Sequence, residues 1–257
     1  MKHIRLHIIY IFRRPAWWLG MLFSFIAMSQ GMLSEGITRG LSLVHLMTIS
    51  MNYGVFIPLA PLAAVLSTSS HIEGALGKTC SYPHLIRCSA RRYLWETGIS
   101  SALAGAAALA TGWALSLVFV KILGNTPLTG ENMLGAEYRT FGTLLTNNRA
   151  WVYFTVRFVL VYCYGFFCVC CAVPVAALRQ EASVICLAPF VVLRLLQYFL
   201  YSKVPSLFSP TRILLGIHIQ SSNNSVALIT GIAILALLCV LILRCSAALF
   251  ERRLNCD

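Results

Sequence analysis

Long apolar runs divided by short polar segments, many of them basic, set the pattern of this chain. The runs are 16–33, 41–66, 98–120, 151–175, 184–201 and 226–243. Each reaches about 18 residues or more, enough for a helix to cross a hydrocarbon layer roughly 30 Å thick. Helix is the state that suits them, because a lone strand in lipid leaves its amides and carbonyls unbonded. The pattern predicts an all-α, polytopic integral membrane protein with six transmembrane helices in one domain, 1–257. In the second run Pro58 and Pro61 remove backbone donors and crowd the preceding turn, so a kink is expected there. In the third, Ala102, Gly105, Ala106 and Ala110 have close-packing spacing, either within the chain or at a subunit interface. Trp17, Trp18, Trp151 and Tyr153 stand at run ends, as interfacial anchors do.

The polar segments orient these runs. With both ends inside, the inner segments hold twelve Lys and Arg and the outer segments six, which predicts cytoplasmic termini. Arg13-Arg14-Pro15 fall where a signal peptide would carry small residues, so the start reads as uncleaved. Residues 1–14 predict an interfacial helix, with Ile4, Ile8, Ile11 and Phe12 on one face and Lys2, Arg5 and Arg13 on another. A short topogenic leader is the alternative.

Composition agrees with the pattern: 58% of the residues are hydrophobic, 11% are charged, and mean hydropathy is +0.78. The net charge of +12 sits in membrane-flanking segments, which argues for anionic headgroups and against nucleic acid as a partner. None of the ten cysteines falls in an outer segment, so no disulfide framework is expected. Cys168, Cys170 and Cys171 lie in an apolar run without a His or carboxylate at helical spacing, and read as packing rather than a metal site.

No acidic residue lies in the middle of a run, and ion-coupled carriers usually need one there. The chain also lacks a nucleophile elbow and a His-Glu-x-x-His motif, so it does not read as an enzyme. Gly74 to Thr79 ends like a phosphate-binding loop, but Ile72 stands where the motif needs its first glycine. No ATPase is therefore expected in the chain, nor any cofactor.

Polar residues within or near the runs are candidates for a pathway lining. Ser42, His45, Thr48 and Asn52 form a stripe in the second run, which could equally make interhelical hydrogen bonds. Arg157 and Arg194 lie about two turns inside the outer ends of their runs, where an arginine must snorkel, pair or face water. The inner loop 67–97 holds Arg87, Arg91, Arg92, Tyr93, Trp95 and Glu96. From His84 onward it can form a helix, with Leu85, Cys88 and Trp95 near one face and Arg87, Arg91 and Leu94 near another. Such an element suits docking onto a cytoplasmic partner, with headgroup anchoring as the alternative.

The stretch Arg87-Cys88-Ser89-Ala90-Arg91-Arg92-Tyr93-Leu94 resembles an Arg-x-Ser-x-Arg-x-Tyr-like segment that small bacterial type-2 ABC transporter permeases often carry at this place. The basic leader, six runs, cytoplasmic ends and proline-bearing second run resemble the same family as architecture. The resemblance implies a bacterial inner (plasma) membrane location and export of an amphipathic or hydrophobic substrate. It implies a separate cytoplasmic ABC ATPase holding ATP and magnesium, and a second permease chain making a homodimer or heterodimer. Arg87 to Glu96 would then be the ATPase-coupling loop, and 206–225 an outer re-entrant element. A non-transporting scaffold or assembly factor, a membrane-embedded enzyme, and an ion-coupled carrier or channel are the competing readings.

Overall fold

A computed structural model describes residues 2–34, 41–76, 89–128, 141–147, 149–179, 181–200, 209–215 and 223–256. Their regular structure is helical throughout, with no strand among them. Helix α1 (Lys2–Phe12) is followed, after the turn at Arg13 and Arg14, by α2 (Pro15–Ser34). Proline at the first position of α2 fits, since its missing N–H would have no partner there. Then come α3 (Leu43–Tyr53), α4 (Phe56–Leu76), α5 (Ala90–Gly124), α6 (Gly142–Thr146), α7 (Ala150–Leu178), α8 (Ala182–Leu200), α9 (Pro210–Leu215) and α10 (Asn224–Cys256).

Four of these helices are long and apolar enough to cross a membrane alone: Pro15–Ser34, Ala90–Gly124, Ala150–Leu178 and Asn224–Arg253. A fifth crossing results if Leu43–Asn52 and Phe56–Leu76, bent by 81°, make one span. The fifth expected run, 184–201, forms α8 (Ala182–Leu200), in which the described apolar stretch Ala182–Leu195 is shorter than the roughly 20 residues of a full crossing. The described helices thus establish a multi-pass membrane protein of four to five candidate spans.

The bend in the second run falls one turn ahead of the prolines. Gly54 closes α3, its N–H donating to the Ser50 carbonyl (3.1 Å), and Gly54 and Val55 separate the two helices. Pro58 then occupies the first turn of α4, where no intrahelical donor is required, and Pro61 lies buried inside the helix. The glycine opens the chain, and Pro58 restarts it.

Helices α4, α5 and α7 pack on one another at the centre, with α2 against α4 and α5, α8 against α4 and α7, and α10 against α7 and α5. Close approach is what brings them together. A Cβ on Gly105 would come within 2.7 Å of the Ala64 carbonyl oxygen and within 2.5 Å of a Val169 methyl. Ala102, Ala106 and Ala110 are buried with it, so the small-residue stripe serves packing inside this chain. Cys168 and Cys170 are buried in the same core. Exposed side chains such as Leu19 and Leu22 of α2, and Leu237 and Leu241 of α10, provide an outer apolar surface.

The paired tryptophans have separate roles. Trp18 is exposed, whereas Trp17 is buried and its Nε1 donates to the Ala104 carbonyl of α5 (2.9 Å). The second pair divides similarly: Trp151 is exposed and Tyr153 is buried. Trp17 and Tyr153 are therefore packing residues rather than interfacial anchors.

Candidate coupling surface and pathway residues

One end of the bundle gathers both chain ends with the end of α4 and the start of α5. The Tyr93 hydroxyl donates to the Ala75 carbonyl (2.9 Å), tying α5 to α4. Arg253 of α10 donates to the Ala177 carbonyl (3.2 Å), satisfying a terminal acceptor of α7.

Helix α5 starts at Ala90 among the described residues, and the expected helical stretch 84–88 lies outside them. Ser89 is extended (φ −63°, ψ 143°) and acts as N-cap, its Oγ accepting from the Arg92 amide (3.4 Å). Residues 77–88, and Arg87 with them, lie outside the described residues. In the first turns, Arg91 is exposed and the Arg92 side chain is 67% exposed. Tyr93 and Leu94 are buried, and Trp95 packs partly against the core. Leu94 therefore does not share the polar face with Arg91, as the helical wheel had placed it. Arg92 pairs with Glu96 at 3.0 Å, an i,i+4 contact that stiffens the exposed turn but adds little stability.

Helix α1 packs against α5 and touches α4, and so lies across the same end. Ile11 is buried and Arg5 and Arg13 are exposed, as the amphipathic pattern predicts. The apolar face, however, covers protein: Ile11 joins Trp17, Ala104 and Ala108, with Phe12 packed beside them. The imidazoles of His7 and His71 meet, Nδ1 to Nε2 at 3.2 Å, and Tyr10 stacks near His71 at 5.8 Å between ring centroids. Arg14 lies over the Tyr10 ring, donates to its hydroxyl, and donates through Nη1 to the Ser70 carbonyl (3.2 Å). No local spacing announces this cluster, because His7 and His71 stand 64 residues apart.

The candidate lining residues divide into separate groups. Ser42 caps α3, its Oγ accepting from the His45 amide (3.4 Å). Thr48 bonds back to the Val44 carbonyl (2.8 Å), His45 is half-buried and Asn52 is exposed. Arg157 of α7 is only 5% exposed and does not snorkel. It donates from Nε (3.1 Å) and Nη2 (3.0 Å) to the Tyr153 hydroxyl oxygen, and from Nη1 to the Leu214 carbonyl of α9 (3.3 Å). Helices α3 and α7 share no substantial contact, so the stripe and Arg157 do not converge. Arg194 is exposed on α8. In the 206–225 region, α9 packs on α7 with Ile213 and Leu214 buried, and residues 206–208 and 216–222 lie outside the described residues. Among the described residues, no group of three or more His, Cys, Asp or Glu side chains gathers to hold a metal ion.

Comparison with family models, curated proteins and solved structures finds no match.

Proposed function

We propose that this chain is the transmembrane permease subunit of an ATP-driven exporter. It would have six crossings in a type-2 ABC bundle and cytoplasmic termini in a bacterial plasma membrane. A second permease chain completes the pathway, and a cytoplasmic ABC ATPase carries the ATP and magnesium. An amphipathic or hydrophobic cargo is the class that suits such apolar helices.

The observation that supports this reading most is the arrangement of the cytoplasmic end. Exposed Arg91 and Arg92 crown the start of α5, beside the α4 end to which Tyr93 is bonded. Helix α1 crosses the same end. A push on the first turn of α5 has a rigid path inward, since Leu94 is buried and the helix runs 35 residues unbroken to Gly124. It reaches α2, α4, α7 and α10, each packed on α5. ATP-driven closure of the partner would in this way tilt the central helix and switch access from inside to outside.

The test is co-expression with the ATPase partner. Arg91→Glu with Arg92→Glu reverses the charge offered to partner carboxylates, and the double variant should lose most of the ATPase stimulation and much of the complex. Unchanged stimulation and yield would sink the docking assignment. ATP-independent, gradient-driven flux in vesicles would favour a carrier instead.

A further inference from the structure

Most buried hydroxyl groups among the described residues follow one rule; Ser24 and Ser50 instead donate to a neighbouring helix, and Ser29, Thr97, Ser101 and Thr126 have no partner, two of them one turn apart on α5. Serine and threonine in an apolar helix usually donate to their own helix, one turn back. Here Thr48, Ser67, Thr68, Ser69, Ser100, Ser116 and Ser246 do so, at 2.6 to 3.3 Å. Thr97 (1% exposed) and Ser101 (0%) of α5 do not, and their hydroxyls have no partner. A buried hydroxyl without a partner costs roughly 1–3 kcal/mol.

Their place explains what they await. Thr97, Ser101, Ala104 and Ala108 recur at i, i+4, i+7 and i+11, one face of α5. Ala104 and Ala108 pack against Ile11 and Trp17, so the two hydroxyls continue the face that α1 covers. The register against α4 is pinned at two levels, by Tyr93 on the Ala75 carbonyl and by Gly105 on the Ala64 carbonyl. Between these ties, counting along the antiparallel helices puts Thr97 level with His71 and Ser101 level with Thr68. His71 touches His7, and Arg14 is fixed beside them on the Ser70 carbonyl. The nearest carboxylates in sequence are Glu96, paired with Arg92, and Glu73, on another side of α4 from His71.

We propose that the junction of α1, α4 and α5 binds a phosphate group. Arg14 supplies the charge, the hydrogen-bonded pair His7 and His71 supplies one ring N–H donor, and Thr97 and Ser101 close the inner side. Arginine and hydroxyl donors are the set that recognises phosphate oxygens. The phosphate comes either from an anionic phospholipid of the inner leaflet or from free inorganic phosphate. The site is independent of what the pathway carries.

The purified protein is placed in nanodiscs of phosphatidylcholine, or of an equimolar mixture with phosphatidylglycerol, and Tm is measured. Thr97→Val with Ser101→Ala keeps the net charge, so general attraction to anionic lipid is unchanged. In the phosphatidylcholine discs its Tm should equal or exceed that of the wild type, because no made hydrogen bond is lost. The rise on adding phosphatidylglycerol should be present in the wild type and mostly lost in this variant and in Arg14→Gln. Sodium phosphate added to the phosphatidylcholine discs, against sodium chloride at equal ionic strength, distinguishes the sources: a rise there assigns free phosphate, and a rise with phosphatidylglycerol alone assigns the lipid. Equal shifts in wild type and double variant, or no shift in the wild type with either probe, would overturn the site and leave the hydroxyls to water. Native mass spectrometry gives a second reading, in which Ser101→Ala alone should retain less phosphatidylglycerol than wild type.

Discussion

Arg157 illustrates how a single side chain in a membrane protein is decided by its neighbours. Its position in the outer half of a run allowed it to snorkel outward or to face a pathway. The side chain does neither, because the Tyr153 hydroxyl one turn back and the Leu214 carbonyl take its donors. Both partners are neutral, so the cation is hydrogen-bonded but its charge is uncompensated by them. Burying a charge in this way is expensive, and an apolar replacement of similar size is often neutral or stabilising. Removing the acceptor instead leaves charged donors unsatisfied, at about 1–3 kcal/mol or more. We therefore expect a definite order of thermal stabilities in detergent: Arg157→Met at or above wild type, and Tyr153→Phe below it. The reverse order would mean that Arg157 is compensated by another group.

At the scale of elements, the helices touch through backbone as much as through side chains. The approach of α2 to α5 depends on Gly112, where an added Cβ would fall 2.3 Å from the Met21 carbonyl oxygen and 2.7 Å from the Ser24 Cβ. Neither neighbour is the flexible end of a side chain. Gly112→Val should push the helices apart and cost about 1–3 kcal/mol or more, the range of core overpacking. Lower Tm and earlier proteolysis of the purified variant would register it. The same closeness lets Ser24 bond to the Leu109 carbonyl (2.8 Å) and Trp17 to Ala104 (2.9 Å). Small residues at close spacing were readable in the sequence as a contact surface, but the partners they meet were not. Likewise, prolines in the second run signalled a bend, and the break itself came at Gly54, where the chain leaves α3.

For the whole molecule, the arrangement of ends makes a topology that labelling can check. In a cysteine-free background, Asn147→Cys, exposed after α6, should react with a membrane-impermeant maleimide in intact cells. Glu251→Cys, exposed near the end of α10, should react only after permeabilisation. The opposite result would invert the protein and move the basic end to the outside. With that end inside, Arg91, Arg92 and the α1 junction face the cytoplasm together, as both the coupling proposal and an inner-leaflet phosphate site require.

The sequence by itself determined the class of this protein. Hydrocarbon admits backbone only where its polar groups are bonded, so long apolar runs must be helices. It also determined which faces of α1 are apolar and which are basic, because that follows from a period of 3.6 residues. What it left open depends on distant residues meeting. The burial of Trp17 beside exposed Trp18 was decided by α5 arriving at Ala104. The meeting of His7 with His71 was decided by the packing of α1 against α4 and α5. No local pattern carries such facts. They are properties of helix register and close approach, which only the tertiary structure sets.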